Sequence, residues 1–125
     1  MNVSLIDAPL VGEVNYAMAA EVTGPGRLLF ISGQIPETAD GVVPASFTDQ
    51  ALLAWRNLEQ VLTAAGMNLS NLVKVTTFLS ARKYRDENRR VREQVLGDHR
   101  PALTVIVADI YDERWLLEIE AVAAA

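Results

Sequence analysis

The sequence predicts an α+β fold, a mixed β-sheet with two helices packed on one face. Two stretches carry apolar residues at three- and four-residue spacing, and five shorter ones are β-branched or aromatic with strand-like patterning. Their order is strand, strand, helix, strand, helix, strand, strand, an interleaving that lays both helices against one sheet.

Tyr16–Val22 and Leu28–Ser32 (LLFIS) read as strands, and TGPGR between them supplies the Gly and Pro of a tight reversal, which predicts a hairpin. IPETADGVVPAS, with two prolines and a glycine, is a surface loop. The first helix runs from about Thr48 to Ala65, its apolar face made of Ala51, Trp55, Leu58, Leu62 and Ala65. Ser46 or Thr48 can cap its start, and Gly66 stands where a left-handed C-terminal cap belongs. Asn71–Leu79 is a strand, Tyr84–Leu96 the second helix with Gly97 ending it, and Ala102–Ile110 and Trp115–Ala123 two more strands joined by YDER. Strands such as TVIVADI are apolar on both sides, so the face away from the helices also needs a cover. A chain this small has no element left to provide one, and association into an oligomer is the expectation.

The chain has 125 residues, the size of one domain, taken here as 1–125, and enough to bury a real core. With half its residues apolar and 22% charged, it is globular in composition. Cysteine is absent, which excludes disulfides and thiol chemistry. The N-terminal segment lacks the basic stretch and long apolar run of a secretory signal, and no apolar run approaches ~20 residues, so a reducing cytoplasm is the expected location. A net charge of −5 opposes a polyanionic partner. Against that trend, six of the eleven basic residues fall between Arg82 and Arg92, interleaved with Asp86 and Glu87. They form either a solvated helix face or a phosphate-binding patch.

In the last strand, side chains alternate, so Leu116, Glu118, Glu120 and Val122 share one face and Leu117, Ile119, Ala121 and Ala123 the other. The two carboxylates then lie about 7 Å apart. Partly desolvated, such a pair raises one pKa and leaves a carboxylate able to take a proton from water; turned to solvent, it is an ordinary strand surface. Asn88 falls on the inward stripe of the second helix with Tyr84, Val91 and Val95, as a satisfied core amide or as a group facing a pocket. Ser32–Gly33–Gln34 ends a buried strand, where glycine permits close approach of another group or simply terminates the strand. His99 is the one histidine, with Asp98 beside it. No metal-ligand spacing, phosphate-binding glycine loop or serine nucleophile elbow occurs.

LLFISGQIP, the helix ending NLEQVLTAAGMNLSNLVKVTTFL, Asn88, HRPALTVIV and EIEAVA together resemble the Rid family (reactive intermediate deaminases, also called YjgF proteins) from about Tyr16 to Ala123. The resemblance implies a chorismate-mutase-like fold and a homotrimer with three small-molecule pockets between neighbouring subunits. It also implies hydrolysis of reactive enamines and imines to keto acids and ammonia, with neither metal nor bound cofactor. Carried across, the water-positioning glutamate is Glu118, the pocket tyrosine Tyr16, the pocket-lining strand end Ser32 and Gly33, and the helix amide Asn88. Glu120 becomes secondary.

One position departs from the pattern. The family's P-A-R-[ST] segment, whose arginine grips the substrate carboxylate, reads Pro101–Ala102–Leu103–Thr104 here, without a gap before Glu118. Leu103 offers only apolar contact, and Arg100, an odd number of residues away across Pro101, should face elsewhere. The expectation is a Rid-like hydrolase of altered substrate range, weak on amino-acid-derived imines. A non-catalytic trimeric binding or sensing protein is the alternative. Ribonuclease activity, a label often attached to the family, is opposed by the acidic balance and the lack of a histidine pair.

Overall fold

Which strands end up at the centre of the sheet is decided by which can be covered on a face. The computed structural model describes residues 2–7, 15–24 and 26–125. Its elements are β1 (Asn2–Ile6), β2 (Ala19–Thr23), β3 (Leu28–Gln34), α1 (Phe47–Ala64), β4 (Leu72–Leu79), α2 (Arg85–Leu96), β5 (Ala102–Val107) and β6 (Leu117–Ala124). The main sheet has the order β3-β6-β4-β5, with β4 and β5 parallel and the other pairs antiparallel. β6, the last element in the chain, is therefore an interior strand. Leu117, Ile119, Ala121 and Ala123 are buried along it, as the alternation predicts.

Ser46 caps α1, its Oγ accepting from the Asp49 amide at 3.1 Å. The helix ends in a Schellman arrangement: Gly66, at φ +73°, donates to Thr63 O, and Met67 donates to Leu62 O. Between these caps Ala51, Ala54, Trp55, Leu58 and Leu62 are buried against the sheet. Each large side chain so covered stabilises the fold by about 1.5–3 kcal/mol. Gln50 is buried beside them and fully used. Its Nε2 donates to Pro44 O and Arg114 O, and its Oε1 accepts from the Leu116 amide, fixing the chain as it enters β6. The stacked rings of Phe47 and Tyr84, 4.6 Å apart, join the start of α1 to that of α2.

Three expectations fail. β2 and β3 form no hairpin with each other: β2 pairs with β1 in a separate two-stranded sheet, and β3 pairs with β6. A Gly/Pro turn reverses the chain without choosing a partner, and LLFIS finds its apolar complement in the C-terminal strand. Pro25 of that turn lies outside the described residues, as do residues 8–14 of the N-terminal segment. β5 stops at Val107 rather than Ile110 because its partner β4 ends at Leu79, which accepts from Ala108 in the last rung. Nor are β5 and β6 neighbours, since β4 stands between them. β1, exposed along its whole length, was not legible as a strand.

The face away from the helices is open. Leu28, Phe30 and Ile106 are 52%, 76% and 44% exposed, the uncovered apolar face that the sequence predicts. Among the described residues no helix is long and apolar enough to cross a membrane.

Candidate functional site

Glu118 is the second residue of β6, paired with Phe78 of β4, which in turn pairs with Ile106 of β5. All three point to the open face of the sheet. On the other side of Glu118, β3 carries an irregularity between Ile31 and Gln34, so that Gly33 lies against the carboxylate. A Cβ placed on Gly33 would sit 1.8 Å from Glu118 Oε2 and 2.8 Å from its Cδ. The glycine predicted to allow close approach thus allows the approach of Glu118 itself. The carboxylate is half-buried, and burial raises its pKa above the ordinary value, with the Glu120 charge raising it further. Among the described residues it has no hydrogen-bond donor that would reverse this effect. Ser32 is exposed beside Gly33, and its carbonyl accepts from the Gln34 side chain. Glu120, one step along the same face, is exposed.

The tight packing predicts a separable effect. Gly33 has no positive φ, so alanine is conformationally allowed there, but the Glu118 side chain must swing aside to admit it. We expect Gly33→Ala to lower kcat by about 10²-fold, the usual cost of ~1 Å misplacement, with thermal stability nearly unchanged. Full activity in that variant would show that this position of Glu118 is not the working one.

Tyr16 and Asn88 lie together on the opposite side of the sheet. The backbone around Ala17 bridges to Ala102, with the Ala17 amide donating to Pro101 O, and this rung holds Tyr16 beside β5. Asn88 is 3% exposed on α2, with the buried Val91 on the predicted stripe. Among the described residues its amide has no hydrogen-bond partner. Both side chains line a cleft of about 830 Å³ between α2 and β5, together with Val105 and Val107. Those valines flank Ile106 and face the other way, so the cleft and Glu118 lie on opposite faces of one sheet.

Leu103 belongs to the cleft's side. It pairs with the fully buried Val75 and packs against the core two residues before Val105. One chain therefore brings Tyr16 to Asn88, and Ser32 and Gly33 to Glu118, but does not bring Leu103 to Glu118. Arg100 faces elsewhere and pairs with Asp7 at 3.1 Å. The His99 ring is bonded to Leu72 O at 2.7 Å, a structural role. Among the described residues no cluster of three or more histidines and carboxylates could hold a metal ion.

Sequence reasoning left the charged run open between a solvated helix face and a phosphate-binding patch. Arg82, Arg85, Arg89 and Arg92 all line the cleft; Arg82 lies in the short 3-10 turn that leads into α2, and the other three, at spacings of four and three, fall on one side of α2. That spacing was the signal inside the charged run. Arg92 is buried to 8% exposure and donates to Asn15 Oδ1 at 3.0 Å, while Asn15 also bonds Glu93. Burial lowers the Arg92 pKa; the Glu93 charge opposes that shift and Arg89 adds to it.

The fold is that of a Rid protein: YyfB of Yersinia pestis superposes over the whole of both chains with a TM-score of 0.88, at 23% identity. The chain belongs to the endoribonuclease L-PSP family, also called Rid or YjgF, whose family model matches residues 8–125. HMF1 of Saccharomyces cerevisiae is 32% identical over 111 residues, spanning 88% of this chain and 84% of that protein. TdcF of Escherichia coli, provisionally named a reactive intermediate deaminase, is 30% identical over 102 residues, 78% of this chain and 79% of its own. The crystal structure of E. coli TdcF with bound serine matches with a TM-score of 0.74 and 28% identity, over 90% and 96% of the two chains.

Proposed function

We propose that this protein is a Rid-type hydrolase of imines or enamines, working as a homotrimer whose sites lie between subunits. The observation that carries the reading is Glu118: a partly desolvated carboxylate with no donor among the described residues, packed on a glycine on an open face. Such a group takes a proton from water as the water oxygen adds to an imine carbon. The C=N electrons move to nitrogen, which is protonated, and the adduct collapses to a carbonyl compound and ammonia. Relatedness to TdcF, whose structure holds serine, supports deaminase-type chemistry on a small molecule.

Assembly follows from the split geometry. Glu118, Ser32 and Gly33 open onto one face of the sheet, Tyr16 and Asn88 onto the other, and a site containing all of them needs a neighbouring copy. The exposed Phe30 and Leu28, further along the same open face opposite Val122 and Ala124, give that neighbour an apolar surface to cover.

Leu103 sets the substrate range. A bidentate arginine–carboxylate pair is the natural grip on an α-carboxylate, and losing a buried one costs about 3–5 kcal/mol, a factor of hundreds to thousands. The expected result is weak hydrolysis of 2-iminobutyrate by the wild type and a gain of ~10²-fold or more in Leu103→Arg, read as ammonia release. Family-level turnover by the wild type would overturn the altered range. Absence of turnover on a broad imine panel by both proteins, with ligand still raising Tm, would favour a binding protein that has lost catalysis.

A further inference from the structure

We infer that the arginine face of α2 is an anion-binding site that takes a small molecule bearing two or more negative charges, a phosphate ester or a polycarboxylate. The inference rests on the reading above in one respect: the cleft is taken as the Tyr16–Asn88 half of the same site, so the bound anion is the distal end of the substrate.

The charge distribution carries the argument. The chain as a whole is at −5, yet among the described residues four guanidinium groups line this cleft against one carboxylate, that of Glu93. That carboxylate is already engaged by the Asn15 amide. The ion pairs at the cleft among the described residues are both made by Arg89, to Asp86 and Glu93, and both are loose at 4.0 Å. Arg92, the most buried of the four, bonds among the described residues only the neutral oxygen of Asn15. Like charges three and four residues apart repel one another along a helix, and a dianion relieves several such repulsions at once. Guanidinium forks match carboxylate and phosphate oxygens bidentately. The amide of Asn88, which has no hydrogen-bond partner among the described residues, offers a further donor.

Size and shape favour a metabolite over a nucleic acid. The cleft's ~830 Å³ falls within the range of small-molecule sites. The remaining cations of this run, Lys83 in the turn before α2 and Arg90 on the helix, lie outside it, and the net charge of −5 opposes a phosphate backbone. The site also accounts for Leu103. An anion held by α2 makes the arginine of the β5 segment dispensable and selects substrates with a second charged group.

The test is binding of pyrophosphate, citrate and acetate at matched ionic strength, by calorimetry and thermal shift on the intact protein. Pyrophosphate or citrate should bind at least ~10-fold more tightly than acetate and, at a hundredfold excess over Kd, raise Tm by about 10 °C. The tighter of the two identifies the ligand as phosphate-like or carboxylate-like. Arg92→Gln should weaken that binding ~10-fold or more, and the exposed pair Arg85→Gln/Arg89→Gln should do so without risk to folding. Arg90→Gln, whose side chain lies outside the cleft, should leave it within twofold. Equal affinity for all three anions, or unchanged binding in the double variant, overturns the site. So does a single-stranded RNA that binds through these arginines and is not displaced by pyrophosphate. Because no arm reads turnover, failure of the hydrolase reading and failure of this site are distinguishable.

Discussion

Replacing Glu118 by glutamine is expected to lower kcat for imine hydrolysis by about 10²–10⁴-fold, the usual contribution of a positioned general base. The same change should not weaken the fold. Burial, then Glu120, raises the Glu118 pKa above the ordinary carboxylate value in the native state. A carboxyl with a raised native pKa contributes its stability below the unfolded pKa, near 4.3, and loses it as pH climbs through the native one. At neutral pH the wild type therefore carries the strain of an ionised, half-buried group with no donor, and the glutamine variant does not. Activity runs the other way, because the base must be ionised. It should fall as pH drops through the raised native pKa, giving an acid limb above the ordinary glutamate range. Glu120→Gln removes the second cause of the shift and should move that limb to lower pH. Tm and kcat measured across pH 4–8 on the three proteins would check both signs. A Glu118→Gln enzyme that keeps its rate removes this residue from the chemistry.

What the sequence made legible was local. Ser46, Gly66 and Gly97 mark the helix ends because caps act within a few residues, and the alternation along β6 put Glu118 and Glu120 on one face correctly. Partner choice was not local. Whether LLFIS joins the preceding strand or the last one depends on ladders closed across most of the chain, and a Gly/Pro turn carries no information about them. The same limit hid the split of the site. Residue parity along β5 and β6 separates Leu103 from Glu118 only once β4 is known to stand between those strands and set the register. The arginine face stayed undecided for another reason. Mixed charge on a helix is usually solvated, and only the packing of α2 beside β5 turns a three-four-three spacing into the wall of a cleft.

The split site leads to the second large effect, restoration of activity by mixing two inactive proteins. Glu118→Gln removes the base on the open face, and Tyr16→Ala removes a wall of the cleft on the opposite face. If each site takes one half from each of two neighbours, refolding the variants together should rebuild intact sites wherever a Tyr16→Ala copy supplies Glu118 and a Glu118→Gln copy supplies the cleft. In a closed ring of identical head-to-tail interfaces filled at random from equal parts, about a quarter of the sites meet that condition. Roughly a quarter of wild-type activity should therefore appear from two proteins that have almost none alone. A site completed within one chain predicts no recovery at all. Phe30→Asp supplies the complementary control. A carboxylate at that exposed apolar position costs several kcal/mol if a neighbour must cover it. That variant should run as a monomer in light scattering, and adding it to either inactive partner should rescue nothing. A trimeric Phe30→Asp protein would mean that the subunits meet elsewhere, and the two halves of the site would then need another route to each other.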